Sequence, residues 1–225
     1  MSERLLFVDS DSAADALTFA GRAARLTEDA VRLQAAGGVL AMSTPSLVPR
    51  GLLDETPTIL GMRTLAVDPE LVCDIVVRAG ELARDASNPA AILLPPTGLT
   101  AAWAGVSAPR GAWMPRAELA ASVLAARAQW GIAAVAEAVP RDAGEEVVRA
   151  VRGDIWGRPD DELAGVPLGV AFTAVTLGFI AGEEVAAVRT NGPWTRVSLA
   201  RGNVLTRRQT GVWLTPVRAT GRPQG

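Results

Sequence analysis

Carboxylates, hydroxyls, arginines and a single thiol are the only side chains here with the usual capacity for chemistry. The 225 residues contain no histidine and no tyrosine, and all 22 basic residues are arginine. Arginine holds its proton across the whole physiological range, whereas a buried lysine or a histidine can give one up near neutrality. Without histidine there is no Ser-His-Asp or Cys-His nucleophile system of the usual kind. The lack of lysine removes a Walker A loop, a pyridoxal Schiff base and a Ser-Lys dyad. One cysteine, Cys73, and no histidine leave no ordinary zinc, haem or iron–sulfur ligand set. No Gly-x-Gly-x-x-Gly run is present, which argues against a dinucleotide site. No cofactor is expected.

What remains is carboxylate chemistry and arginine acting as an electrostatic clamp. Asp9 and Asp11 follow a short apolar run and could hold magnesium through oxygen. They are equally suited to capping the helix that follows. A carboxylate enzyme, magnesium-assisted or not, would need two or more of Asp9, Asp11, Asp54, Asp68 and Asp74 in one pocket. Asp160-Asp161-Glu162 and Glu183-Glu184 read as solvated loop ends, and Glu145-Glu146 as favourable charge at a helix N-terminus. Cys73 sits in the apolar run Leu71–Val77 and reads as core filling.

The arginine distribution is the clearest functional signal. Residues 185–225 carry seven arginines and no acid, while the other 15 share residues 1–184 with all 24 acidic residues. In an extended strand Trp194, Arg196 and Ser198 share one face, and Arg189 lies just across the Asn191-Gly192 turn. A guanidinium over an indole there would be stabilising by about 0.5–2 kcal/mol. Arg189, Trp194, Arg196, Arg201, Arg207 and Arg208 are therefore the candidate residues for binding an anion, a nucleic acid or a protein partner.

The elements that must position these residues follow from periodicity and turn chemistry. Leu5–Val8 is a short apolar run, and a helix is expected over Ala13–Arg25. Residues 31–43 read as a hairpin around Gly37-Gly38, 45–57 as a loop and 58–67 as a strand. Between residues 68 and 86 two readings stay open: a helix starting near Asp68, or a strand over 72–77 with a helix over 79–86. Ala91–Leu94 is a buried strand, and 96–117 is irregular around Trp103 and Trp113. Helices are expected at Glu118–Val139, Asp142–Asp154 and Pro167–Ile180. Strands follow at Val185–Thr190, Trp194–Leu199 and Val204–Arg208, with a further one at Gly211–Pro216 and frayed residues after it. No internal repeat is evident. The fold class is α+β: a β-rich N-terminal region with helices, three central helices and a C-terminal antiparallel β-meander. One domain over 1–225 is expected, with a subdivision into 1–115 and 116–225 as the alternative.

Eighteen uncharged residues, Gly165–Gly182, approach the length of a membrane span. Four glycines and acidic flanks on both sides favour a buried helix and no membrane contact. The start of the chain lacks a secretory layout, and a lone cysteine suits a reducing compartment, so a cytoplasmic location is expected.

Two stretches also resemble conserved but uncharacterised proteins of high-GC actinobacteria. They are Ala150-Val151-Arg152-Gly153-Asp154-Ile155-Trp156-Gly157-Arg158-Pro159 and Gly192-Pro193-Trp194-Thr195-Arg196-Val197-Ser198 with Arg201-Gly202-Asn203-Val204-Leu205. Gly51-Leu52-Leu53-Asp54 and Thr58-Ile59-Leu60-Gly61-Met62-Arg63 look similar as well. The resemblance implies a cytoplasmic protein and brings no catalytic role. Together these observations point to a non-enzymatic binding protein that self-associates. Polyanion or nucleic-acid binding through the C-terminal arginines is the first alternative and a carboxylate enzyme the second. Little positive charge on the central helices and an acidic overall balance weigh against DNA reading by a helix.

Overall fold

The computed structural model describes residues 4–208 except Leu52. The expected strand at 211–216, the frayed end after it, and Arg218 and Arg222 lie outside the described residues. In the first half, β1 (Arg4–Leu6) and α1 (Ser10–Ala23) precede β2 (Ala30–Ala36), β3 (Val39–Leu47) and β4 (Thr58–Ala66). Then come β5 (Cys73–Arg78), β6 (Ala83–Arg84) and β7 (Ala91–Leu93). The second half begins with β8 (Met114–Ala120), α2 (Ala121–Ala138) and α3 (Glu145–Gly157). It continues through β9 (Pro159–Asp160), β10 (Val166–Pro167) and α4 (Gly169–Thr176) to β11 (Val185–Asn191), β12 (Trp194–Leu199) and β13 (Gly202–Arg207).

Eight strands form one antiparallel sheet in the order β5-β2-β3-β4-β13-β12-β11-β8. The expected α+β layout is present, and β4–β13 pairing joins the N-terminal strands to the C-terminal meander. The first half opens with a strand and one helix, the second with a strand and three helices, each before a three-strand meander, and the two meanders meet at this seam in mirrored order. In the second half the leading strand β8 pairs with β11. In the first, β5 takes the corresponding place beside β2, while β1 pairs with β7 in a small sheet completed by β6.

Side-chain alternation divides the sheet cleanly. One face carries Leu33, Leu40, Met42, Ile59, Val197 and Val204 into a core shared with α1 and α4. Phe19 of α1 stacks on Phe179 with ring centroids 6.2 Å apart. α4 lies between the sheet and α2, which explains why its segment carries no charge. The expected helix over 167–180 is shorter: Pro167 belongs to β10, and Gly178 at φ 67° closes the C-terminus. The buried placement expected of that segment is observed, since Val170, Ala171, Thr173 and Ala174 are buried. Among the described residues no helix is long and apolar enough to cross a membrane.

Other boundaries also move. Glu118–Ala120 are drawn out of the expected helix by pairing with β11, and α3 is shifted to Glu145–Gly157. Pro45 lies inside β3, not in a loop, at an irregularity in the pairing with β4. Between 68 and 86 the strand reading holds for 73–78, but one 3₁₀ turn and the short β6 replace the helix expected after it. Asp9 caps α1 by accepting from the Ser12 N–H at 2.7 Å, and that bond holds its carboxyl below the ordinary value.

α3 and α4 meet at Trp156, which stacks on Phe172 with centroids 4.0 Å apart. Gly169 permits this approach. A Cβ there would lie 2.8 Å from Ile59 Cδ1, 3.0 Å from Trp156 Cβ and 3.1 Å from the Trp156 carbonyl oxygen. The last atom is backbone and cannot rotate away. Gly169→Ala is therefore expected to be destabilising by about 1–3 kcal/mol through overpacking. Urea unfolding should show a lower midpoint at unchanged slope; an unaltered midpoint would show that the interface yields.

Candidate functional site

Among the described residues no α-helix packs on the opposite face of the sheet. A single connection, residues 94–113, crosses it from one edge to the other. At the β5 edge the Leu99 N–H donates to the Val76 carbonyl at 2.7 Å. Further along, Arg32 Nη1 donates to Ser107 Oγ at 3.0 Å. Trp103, Ala108 and Trp113 then pack on a small apolar cluster of Leu60, Trp194 and Leu205. At the far side Asn191 Nδ2 donates to the Gly111 carbonyl at 2.8 Å, and the Trp113 indole N–H donates to the Pro109 carbonyl at 3.1 Å. Prolines and glycines kept this segment out of regular structure in the sequence reading; its path is fixed by these side-chain bonds instead.

Beside the connection runs a groove of about 920 Å³, well within the range of ligand sites. Its floor is the outward face of β2, β3, β4 and β13: Gln34, Ala41, Ser43, Met62, Thr64 and Asn203. The register places Ser43 beside Met62 and Met62 beside Asn203, so the groove spans the β4–β13 seam. Trp103, Val106 and Trp113 form one wall, and Val72 and Cys73 belong to the other. Burial pushes the Cys73 thiol up from its ordinary value, so it is a poor nucleophile.

Arginines stand at both ends. Arg32 is engaged by Asp74, whose two oxygens accept from Nε and Nη2 at 2.8 Å each, with Gln34 donating to the same carboxylate at 3.1 Å. The Arg32 hydrogen bond holds the Asp74 carboxyl below the ordinary aspartate value. At the other end the Arg196 guanidinium lies over the Trp113 ring, 4.6 Å from its centroid. Burial, and then the neighbouring Arg189, pull Arg196 below the usual arginine range.

The sequence-derived candidates divide between this face and the rest of the molecule. Trp194 and Arg207 are cross-strand partners, as are Arg189 and Arg196, so these four occupy adjacent rows of the outer face. The arginine–tryptophan stack expected on Trp194 forms on Trp113 instead. Trp194 is only 4% exposed, buried beneath the connection as part of its apolar anchor. Arg201 lies apart in the β12–β13 turn, its carbonyl accepting from Arg63, which pairs with Asp15 on the helix side. Arg208 is also separate and donates to the Gly165 carbonyl at 3.3 Å. Trp103 and Trp113 stand out in the sequence only as large anchors in an irregular segment, and Arg32 and Arg110 not at all; alternation places Arg32 on a strand face but not beneath a connection 70 residues away.

The acidic candidates serve local roles. Asp9 caps α1, Asp54 accepts from the Arg50 and Thr56 amides, and Asp68 accepts from the Glu70 amide. Among the described residues no group of three or more carboxylate or thiol side chains could hold a metal ion.

Residues 108–211 match the family model described as Domain of unknown function (DUF8185), and residues 1–105 match the one described as Domain of unknown function (DUF8010). The two matches meet within the connection that walls the groove. No curated protein matches the chain. Among solved structures, DNA polymerase III subunit beta from Borrelia burgdorferi, in complex with a natural product, aligns with a TM-score of 0.50. The two are 8% identical over 93% of this chain and 65% of that one.

The fold resembles a bacterial sliding clamp.

Clamps from Bartonella birtlesii, bound to griselimycin, and from Caulobacter crescentus give TM-scores of 0.48 and 0.46 at 15% and 14% identity. They are covered over 66% and 69% of their length, against 93% and 98% of this chain, so the chain spans about two thirds of a clamp. At these identities the likeness concerns fold alone.

Because the Asp74 carboxyl is lowered in the folded chain, its stabilising contribution is present above the unfolded value of about 3.9 and is lost as pH falls through the lower folded value. The pair is half exposed on the aspartate side. Asp74→Asn is thus expected to lower stability by less than about 1 kcal/mol at neutral pH. Urea melts across the acid range should show wild type and variant converging below the folded value; a difference independent of pH would contradict the assignment.

Proposed function

We propose that the protein is a non-enzymatic binding protein whose outer-face groove takes an extended segment of a partner polypeptide. One observation carries this reading: a connection pinned across the whole sheet walls a groove of mixed polar and apolar floor with two tryptophans and sets guanidinium groups at its ends. Tryptophan and arginine are the residues that most often dominate the energetics of protein interfaces. The chain's lack of histidine, lysine and tyrosine supports binding over turnover. Likeness to clamps agrees with an interaction role without assigning one.

Binding of a polyanion is less well supported. Arg189, Arg196 and Arg207 are partly buried against the sheet or the connection, not fanned out to follow a phosphate backbone. Helices α1, α2 and α3 together carry six acidic residues against four arginines, and α4 carries no charge. Neutralising a nucleic acid requires the opposite balance.

Self-association is the second part of the proposal and uses a different surface. α2 is the outermost helix and has only two charged residues, Arg127 and Glu137, in 18. It leaves Trp130 52% and Ile132 45% exposed, as expected of a helix that packs on a partner. Light scattering should give a mass above that of the monomer, falling on Trp130→Glu; a monomer at all concentrations removes this part.

Peptide display tests the groove. Sequences enriched on the wild-type protein should lose about tenfold or more in affinity for Trp103→Ala and Trp113→Ala, with far-UV circular dichroism unchanged. Equal binding to wild type and both variants would place the docking surface elsewhere.

A further inference from the structure

Of the three arginines that line the groove, Arg32 and Arg196 are treated differently by the fold. Arg32 already has its carboxylate in Asp74, with two parallel hydrogen bonds, and Ser107 takes a third N–H. Arg196 has no such partner: none of the described ion pairs includes it or its cross-strand neighbour Arg189. Its Nε is buried with no hydrogen-bond partner among the described residues. An unpaired buried donor is costly, and two like charges on adjacent strands are destabilising as well.

The arrangement is nevertheless held in place. Trp113 supports the guanidinium plane from one side, and Trp113 is itself fixed by its bond to Pro109 and by the Asn191–Gly111 bond. A guanidinium stacked on an aromatic ring keeps its in-plane N–H groups for a carboxylate, which they fit in a two-bond fork. Next to it on the same face lies Met62, beside Leu60 and Leu205, which are themselves buried beneath the connection. A phosphodiester strand would repeat its charge along this apolar stretch and then meet Asp74, whereas an acidic residue followed by an apolar one matches the sequence of surfaces.

We propose that Arg196, with Arg189 behind it, reads the side-chain carboxylate of an aspartate or glutamate in the segment bound by the groove. The inference rests on the groove being a polypeptide docking site. A carboxylate there supplies the counter-charge that Asp74 gives Arg32 and neutralises the repulsion between Arg196 and Arg189, while an adjoining apolar side chain covers Met62.

The test uses two blocked tripeptides as probes, acetyl-Leu-Glu-Leu-amide and its glutamine counterpart. Binding is read from the indole N–H signals of Trp103 and Trp113 by NMR. With wild type the glutamate peptide should bind about tenfold more tightly than the glutamine peptide, the difference expected for a hydrogen bond to a charged group. Arg196→Met should reduce the glutamate peptide to the level of the glutamine peptide, which itself is unaffected. Arg189→Met, at a position that does not line the groove, should narrow the difference without removing it and guards against a folding defect in the first variant. Equal binding of both peptides to wild type overturns the carboxylate assignment and leaves the docking site standing. Indole signals unmoved by either peptide overturn both. Oligo-deoxythymidine moving the same signals and displacing the glutamate peptide overturns the proposal in favour of a nucleic acid.

Discussion

Five register pairs between β4 and β13, from Met62 with Asn203 to Thr58 with Arg207, hold this molecule together as one sheet. Without that seam there would be two half-sheets, each with a meander edge exposing unpaired amides and carbonyls. With it, both faces become continuous surfaces that cross from one half to the other. α4 packs on the inner face against β3, β4 and β13, so the helix core straddles the seam. The groove straddles it on the outer face, where Met62 and Asn203 lie side by side. Burial of α4 and shaping of the groove are two consequences of one pairing.

How much of this is legible in the sequence depends on the range of the interaction that decides it. Local signals are read well. Gly37-Gly38 and Asn191-Gly192 mark hairpins, Asp9 marks a helix start, and the alternation around Trp194 assigns it to the same face as Arg196. The β4–β13 register involves residues more than 130 positions apart, and an alternating strand does not encode its partner. For the same reason the face shared by Trp194 and Arg196 was evident while its covering was not. Trp194 became an anchor for the connection, and the stacking role passed to Trp113, which lies in a segment without periodicity. Helix ends shifted where tertiary contacts outweigh propensity: Glu118–Ala120 have helix-compatible neighbours but complete a strand beside β11.

Sliding-clamp likeness and the charge distribution bear on different questions. Shared topology describes how the halves meet; it does not say what they hold. In this chain the helix layer carries an excess of acid, and the outer face holds Arg32, Arg110 and Arg196 beside Trp103 and Trp113. Electrostatics therefore direct attention to the outer face and to acidic, partly apolar ligands rather than to a phosphate backbone. Ion pairs elsewhere are either local, as Arg149 with Glu145 and Arg158 with Asp154, or tie distant segments, as Arg63 with Asp15 and Arg127 with Asp160. Arg196 differs from Arg32 in the same groove because the fold supplies it with an aromatic support but no acid.

Native-state hydrogen exchange at the seam tests the account most directly. If β4 and β13 unite the halves, the hydrogen-bonded amides they share should exchange only through global unfolding, with the same opening free energy as those of the β2–β3 and β11–β12 hairpins. Seam amides that open at distinctly lower free energy than both hairpins would mean that the halves separate before they unfold, and a groove floored across them would not be a single site.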